Sequence, residues 1–314
     1  MNLAYALNVD AQQSEIARDF LAGLNARPKT LSAKYFYDVE GSRLFERITR
    51  LPEYYPTRTE TALLRRHAGE MAKAIGTDVE LIEFGAGSLA KVGPLLEALD
   101  QPRAYVPVDI ARDFLVDQAA RFAARYPAIP IRPLVADFTQ PLMLSSSGVR
   151  RAGFFPGSTI GNLDRHDALV FLRHASALFR GAGFLVGVDL VKDPALLHAA
   201  YNDAEGITAA FNKNMLARAN RELGADFDLD AFAHYAFYAP HRQCVEVHLV
   251  SLKRQRVRVA GETIAFQEGE SIHTEDSHKY TVSSFRALAS EAGFQPRQVW
   301  TDPKNLFSIH WLEA

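Results

Sequence analysis

Apolar and polar positions change their rhythm along this chain in a way that predicts its elements. Residues 10–60 read as helical and polar, with turn signals at Arg27-Pro28-Lys29 and at Glu40-Gly41-Ser42. Leu44, Phe45, Ile48 and Leu51 recur at helical spacing, and Pro52 ends the pattern because it cannot continue a helix. Residues 57–74 read as a further helix. Strand and helix signals then alternate: strands at 79–84, 103–108, 130–135, 151–155 and 183–189, helices at 90–98, 112–125 and 164–178. That alternation predicts an α/β fold with a parallel, doubly wound sheet. After Lys192 it stops. Residues 194–223 read as one continuous helix, and 243–252, 256–259 and 262–266 as antiparallel strands joined by tight turns, one of them Ala260-Gly261. A helix at 281–292 and a strand near 306–312 restore the α/β rhythm. The expected plan is a core interrupted by an inserted lobe.

Candidate chemistry starts at Leu81-Ile82-Glu83-Phe84-Gly85-Ala86-Gly87-Ser88. An apolar run ends in a carboxylate and then a glycine turn, and Val106-Pro107-Val108-Asp109 ends a second run in another acid. α/β sheets build nucleotide pockets this way, at the carboxyl ends of their strands. Gly85 and Gly87 let the backbone turn sharply and approach a ligand closely. Asp109 stands where an acid hydrogen-bonds ribose hydroxyls. Leu89 and Ala90 follow Ser88, so the third glycine of the dinucleotide fingerprint is missing. The turn therefore suits an adenosyl group without a pyrophosphate, such as S-adenosylmethionine. A βα turn of some other α/β protein explains this stretch alone equally well.

Composition narrows the surroundings more than the chemistry. The chain has 314 residues, 48% hydrophobic and 23% charged, which is ordinary for a globular protein. A formal net charge of -2 gives no reason to expect nucleic acid or an anionic membrane as partner. The single cysteine, Cys244, excludes an internal disulfide and fits a reducing compartment. No basic-then-apolar leader opens the sequence and no long uncharged apolar stretch follows, so a cytoplasmic monomer is expected.

Longer blocks identify a family. They are Lys34-Tyr35-Phe36-Tyr37-Asp38 with Gly41-Ser42 and Leu44-Phe45; residues 48–60, Ile-Thr-Arg-Leu-Pro-Glu-Tyr-Tyr-Pro-Thr-Arg-Thr-Glu; and Pro156-Gly157-Ser158-Thr159-Ile160-Gly161-Asn162-Leu163. Gly187-Val188-Asp189-Leu190-Val191-Lys192-Asp193 follows, continuing through Ala200-Tyr201-Asn202-Asp203 to Gly206-Ile207-Thr208, and then Thr274-Glu275-Asp276-Ser277-His278-Lys279-Tyr280. In this order the chain resembles the histidine-specific Nα-methyltransferases of ergothioneine biosynthesis, from about residue 10 to the carboxyl terminus. The resemblance implies a Rossmann-like class I methyltransferase sheet with an inserted α+β substrate-binding lobe. It divides the chain into an amino-terminal helical part of that lobe (1–58), the S-adenosylmethionine core (59–190), the inserted lobe (191–279) and a return to the core (280–314). The implied reaction converts L-histidine to hercynine, its Nα-trimethyl betaine, with S-adenosylmethionine as co-substrate and no metal.

The resemblance also implies roles. Gly85, Gly87 and Lys91 would meet the methyl donor, Lys91 near its carboxylate. Asp109 would take the ribose hydroxyls, and Asp137 and Phe138 would frame the adenine. Tyr54, Asn162 and Tyr201 would act as the catalytic positions holding the α-amino and α-carboxylate groups, with Gly157 in the same site. Asn162 suits this because its amide offers both donors and an acceptor. Glu275 and Ser277 would read the imidazole, with Tyr37 near it. A carboxylate accepting from a ring N–H favours histidine, since a partnerless buried carboxylate is costly. Val247 stands where the best-known members carry methionine against the imidazole. Valine is shorter and deepens the floor, which leaves open another aromatic amino acid, tryptophan-like, or a modified histidine.

Plainer readings stand beside these. Asp137 also reads as a surface acid, Phe138 as core, and Glu275 as a salt-bridge partner of Lys279 four positions on. Tyr55 is the expected packer beside Tyr54. Ser158 lacks the Gly-x-Ser-x-Gly spacing of an esterase nucleophile. His241, His248, His273 and His278 form no tight ligand pair, so no metal site is expected. A binding protein on the same fold would keep the glycine turn, yet would not need Asn162, Tyr201 and Glu275 together.

Overall fold

The computed structural model describes residues 3–142, 144 and 148–314. In chain order its elements are α1 (Leu3–Asn25), β1 (Lys29–Thr30), α2 (Val39–Ile48), α3 (Tyr55–Ile75), β2 (Glu80–Phe84), α4 (Gly93–Ala98), β3 (Ala104–Asp109) and α5 (Arg112–Arg125). Then come β4 (Leu134–Val135), β5 (Arg151–Phe155), α6 (Arg165–Leu178), β6 (Gly183–Asp189), α7 (Pro194–Tyr201), α8 (Ile207–Leu223), β7 (Phe232–Ala239) and β8 (Cys244–Ser251). The remainder are β9 (Gln255–Val259), β10 (Glu262–Phe266), β11 (Ser271–His278), α9 (Val282–Glu291), β12 (Gln295–Thr301) and β13 (Phe307–Glu313). No helix among the described residues is long and apolar enough to cross a membrane.

Two compact units emerge, one of residues 1–48, 197–239 and 245–276, the other of 49–196, 240–244 and 277–314. The second unit holds a seven-stranded sheet in the order β12-β13-β6-β5-β2-β3-β4. The pairs from β6 through β4 are parallel, and β13 is antiparallel to both β6 and β12. A parallel sheet that reverses order at β2 and carries one reversed strand next to its far edge is the Rossmann-like class I methyltransferase sheet. Its strands are apolar on both sides because both faces are covered. Leu81, Tyr105, Phe154 and Leu185 point into one core with Leu63, Leu64 and Leu95. Ile82, Phe84, Val106, Phe155 and Val186 point into the other with Phe171, Leu172 and Phe285. Sheets of this kind take their ligands at the carboxyl ends of the strands where the order reverses.

The edge strand is shorter than the run 130–135 suggests: only Leu134–Val135 pairs with β3, besides an isolated bridge from Ile131 to Tyr105. Pro130 and Pro133 lack the N–H that a longer ladder requires.

The first unit contains a four-stranded sheet ordered β1-β11-β8-β7 and a separate antiparallel pair, β9-β10. So β8 does not pair with the hairpin that follows it. The hairpin turns at Ala260 and Gly261, both at positive φ, the geometry that suits a two-residue connection. The continuous helix expected over 194–223 is instead two helices, α7 and α8. Gly206 turns left-handed at φ 71, and the Asp203 carboxylate accepts from the Ile207 and Thr208 N–H groups at 2.8 Å each. That acid satisfies the orphan donors of a new helix start, so the chain breaks and begins again. Glu40-Gly41-Ser42 is no turn either; it lies in the first turns of α2, with the Asp38 carboxylate accepting from Gly41 N–H at 2.6 Å.

Candidate active site

The glycine turn follows β2 directly. Gly85 and Gly87 have φ of +63° and +52°, which strain any side-chain-bearing residue. Gly87 donates its N–H to Asp109 Oδ2 at 2.9 Å, and Ala111 donates to Oδ1 at 2.9 Å. The Asp109 carboxylate is thus pinned across the mouth between β2 and β3. A carboxylate offers about four acceptor sites, so each oxygen keeps capacity for a ribose hydroxyl. Nothing lies within 4 Å of the place where a Cβ on Gly87 would stand. Beside Gly85, a Cβ would come 3.6 Å from Phe138 Cε1. Phe138 packs on the second core, its ring 5.4 Å from Phe155 and 6.3 Å from Phe84, and stays partly exposed. It therefore serves as core while part of the ring stays accessible. Asp137 follows β4, and its Oδ1 accepts from Thr139 N–H at 2.9 Å and the Thr139 hydroxyl at 2.6 Å. Turn, acid and ring fit an adenosyl group.

Lys91 sits in a group that sequence reading missed. Its Nζ lies 2.8 Å from Glu60 Oε2, and Glu60, on α3, is 0% exposed. Both Glu60 oxygens accept from Gly157 N–H at 2.9 Å. Glu60 thus ties Lys91 to the turn after β5 that carries Gly157 and Asn162.

That turn is held from the other side as well. Ser158 is left-handed at φ 57, and its Oγ accepts from Asp189 N–H at 2.9 Å. A Cβ on Gly161 would fall 2.6 Å from the His278 carbonyl oxygen, so the Asn162 turn lies directly against the end of β11. Asp189 is 1% exposed at the end of β6. Its carboxylate accepts from the Tyr55 hydroxyl at 2.8–2.9 Å, from Lys192 Nζ at 2.5 Å and from Lys279 Nζ at 2.9 Å. Burial works to raise the Asp189 carboxyl, but the charges of Lys279 and Lys192 outweigh it and hold it below its ordinary value. Burial pushes the Lys192 ammonium down to about 8. Lys279 also donates to Ser277 Oγ at 2.7 Å. Asp189 and Ser277 are thus among its partners. Tyr55 is buried as expected, yet it contributes a hydroxyl as well as packing. Tyr54 is the residue that opens α3, next to it.

A third buried acid, Glu83, lies at the end of β2. Burial pushes its carboxyl up to about 8, and the Tyr105 hydroxyl donates to it.

The four other candidates belong to the first unit. Tyr37 follows a 3-10 turn and meets Phe211 and Phe45 edge-on at 5.7 and 5.8 Å. Tyr201 ends α7, and its carbonyl is 2.8 Å from His234 Nε2. Val247, on β8, is 2% exposed, and its carbonyl accepts from the Thr274 hydroxyl at 3.0 Å. Glu275 lies half-buried on β11, and Ser277, two residues on, is buried. Of the histidines, His248 and His273 meet edge-on at 5.1 Å, and His248 stacks on Phe237 at 5.7 Å. Burial and the neighbouring His273 push the His248 ring down, opposing charge on it.

Residues 16–314 match the family described as "Histidine-specific methyltransferase, SAM-dependent". The chain belongs to that family. A histidine N-alpha-methyltransferase of Mycolicibacterium smegmatis is 42% identical over 315 residues, 98% of each chain. One from Mycobacterium tuberculosis is 41% identical over the same shares. A 4-dimethylallyltryptophan N-methyltransferase of Aspergillus fumigatus is 28% identical over 93% of this chain and 91% of its own. Membership makes S-adenosylmethionine the co-substrate of this methyltransferase. It also explains why the acids and glycines at the ends of β2 and β3 need no third glycine: no pyrophosphate has to be cradled.

Proposed function

We propose that this chain converts L-histidine to Nα,Nα,Nα-trimethyl-L-histidine, hercynine, by three successive methyl transfers, as a step of ergothioneine formation. The observation that carries the reading is the presence of Glu275 and Ser277 two residues apart on β11 in a chain 42% identical, over 98% of each chain, to a histidine N-alpha-methyltransferase. An acceptor and a hydroxyl so close in the chain suit an imidazole, whose two nitrogens make different demands. An indole offers one N–H and no acceptor.

S-Adenosylmethionine supplies an electrophilic methyl group. In the proposed arrangement Gly85, Gly87 and Asp109 hold its ribose side, Asp137 and Phe138 its adenine, and Lys91 its carboxylate. Asn162 and Tyr54 orient the α-amino group, Tyr201 and Gly157 complete the amino-acid end, and Tyr37 serves the imidazole. A free α-amino group titrates near ~8 in peptides, so the reactive free base is only modestly uphill at neutral pH. Alignment and exclusion of water can then supply most of the acceleration. No dedicated strong base is required, because hydrogen bonding by Asn162 and Tyr54 holds the lone pair toward the methyl group. The aromatic rings of Tyr54, Tyr37 and Phe211 offer faces to the growing ammonium charge.

Val247 favours a second reading. A deeper floor would accept a larger ring, as in a tryptophan derivative. Incubation with S-adenosylmethionine and a mixture of the twenty amino acids, read by mass spectrometry, separates the two. Gain of three methyl groups on histidine is expected. Methylation of tryptophan alone overturns the histidine reading.

A further inference from the structure

Tyr201 is the last residue of α7, and the carbonyls of a helix's last turn find no N–H inside the helix. The Tyr201 carbonyl meets a side chain: His234 Nε2, on β7, lies 2.8 Å from it. The other ring nitrogen, Nδ1, lies 2.9 Å from Nδ2 of Asn212 on α8. The same Nδ2 donates to the His248 carbonyl at 3.0 Å. A carbonyl can only accept, so these two carbonyls fix the hydrogens between them. The His248 carbonyl requires the Asn212 atom beside it to be the amide nitrogen, since the reverse orientation would set two oxygens face to face. That nitrogen has a second hydrogen for His234 Nδ1, which must then be unprotonated. Nε2 therefore carries the ring hydrogen, and the Tyr201 carbonyl demands the same. Both ends of the chain of bonds select one neutral tautomer. Asn212 is 1% exposed, and burial pushes the His234 ring below its ordinary value, against a charge on it. Two further bonds hold α7 to the same strand. β7 lies at the edge of its sheet, its Tyr238 N–H donates to His198 Nε2 at 3.0 Å, and its Ala236 carbonyl accepts from Asn202 Nδ2 at 3.0 Å. The helix thus covers part of a sheet edge with side chains of its last turns.

We propose that His234, set in its Nε2–H form by Asn212, is a positioning residue that fixes the end of α7 and so places Tyr201 for the amino-acid substrate. This inference rests on the proposed role of Tyr201 at the amino-acid end of the substrate and deepens it. Helix ends fray, and a side chain there is placed only as well as its backbone. A binding group about 1 Å out of place can cost about a hundredfold in rate. His234 acts through the Tyr201 main chain, and Asn212 acts through His234.

Kinetics of H234N, H234Q and Y201F, alone and combined, test this on the amino acid that wild type methylates, histidine in the proposed reading. An asparagine amide reaches the place of Nδ1 and still faces Asn212, but it stops short of Tyr201. A glutamine amide reaches the place of Nε2 and still donates to the Tyr201 carbonyl. H234N should raise KM for the amino acid about tenfold, the size of one lost hydrogen bond, with kcat within about threefold and KM for S-adenosylmethionine within about twofold. H234Q should restore most of the affinity. In the Y201F background H234N should change the amino-acid KM less than about twofold. H234N with wild-type KM overturns the proposal, and so does equal damage from H234N and H234Q, or an equal effect of H234N with and without the Tyr201 hydroxyl. Should H234N not fold, the nitrogen NMR spectrum of wild type labelled with 15N-histidine decides. An unprotonated Nδ1 and a protonated Nε2 on His234 at neutral pH support the proposal, and a hydrogen on Nδ1 overturns it. Y201F with wild-type KM removes Tyr201 from the amino-acid end and takes the inference with it. That is the failure of the underlying reading, and it is a different result from an impaired Y201F beside a normal H234N.

Discussion

Removing the Glu60 carboxylate should damage stability more than almost any other single side-chain change outside the apolar cores. Glu60 is 0% exposed and accepts twice from Gly157 N–H while pairing with Lys91 Nζ at 2.8 Å. It also fills its space tightly, since a Cβ on Gly187 would fall 2.1 Å from its Oε1. In Glu60→Ala the Gly157 N–H loses its acceptor, which costs about 1–3 kcal/mol for a buried group. Lys91 loses its counter-charge. For a fully buried pair that is about 3–5 kcal/mol, and it must be discounted here because the Lys91 side chain keeps 18% of its exposure. A total of about 3–5 kcal/mol follows, and at about 2–4 °C per kcal/mol for a chain of this size the melting temperature should fall by roughly 10 °C. Glu60→Gln keeps the shape and one oxygen for Gly157 and loses only the charge, so its fall should be less than half as large. Thermal unfolding followed by far-UV circular dichroism measures both. Glu60→Ala melting within about 2 °C of wild type would refute the reasoning, as would equal damage from Ala and Gln, which would mean that the lost charge rather than the N–H acceptor matters.

Glu83 gives a pH-dependent prediction. Its carboxyl is raised in the folded state from 4.5 to about 8, so its stabilising effect is complete below 4.5 and is lost as pH climbs toward 8. Glu83→Gln should therefore gain on wild type by roughly 1.4 kcal/mol per pH unit across that window, seen as a widening gap in melting temperature between pH 5 and 8; a constant gap would argue against it. Asp203→Ala removes the acceptor for two N–H groups at the start of α8 and should cost about 1–2 kcal/mol in urea unfolding, with no loss pointing to solvent capping instead. Val247→Met should lower the ratio of kcat/KM for tryptophan over that for histidine, because a longer side chain fills the floor; a raised ratio would place Val247 away from the ring. Asn162→Ala should abolish most histidine turnover, and unchanged turnover would remove it from the amine site.

How much of this was readable in the chain depends on how far apart the partners lie. The runs at Leu81–Phe84 and Val106–Asp109, the glycine turn and the helix 112–125 are local patterns, and they reappear as β2, β3 and α5. The strand Phe232–Ala239 was not legible, because Phe232, Tyr235, Phe237 and Tyr238 spread aromatic residues over both its sides with no alternation to read. Strand 271–278 mixes His273, Glu275 and Asp276 into its length for the same reason. The break before α8 hides in a good helical pattern, since Asp203 reads as one more polar position until its carboxylate is seen capping Ile207.

The acids show where legibility ends. Glu83, Asp109 and Asp189 each close an apolar run, and in the sequence they look alike. The structure gives them different chemistry. Asp109 is held by the backbone N–H groups of Gly87 and Ala111, one on each oxygen. Glu83 is buried against a tyrosine with no cation in direct contact among the bonds described, and its carboxyl is pushed up. Asp189 lies between two lysines and is held down. What separates them is the neighbour, and the neighbours are far along the chain: Tyr55 is 134 positions from Asp189. A carboxylate at a strand end therefore marks the rim of a site, while its protonation and its task are set by contacts that only folding makes. Lys279 is the clearest case, because in sequence it is simply the basic residue after a polar strand, and folding sets it beside Asp189 and Ser277.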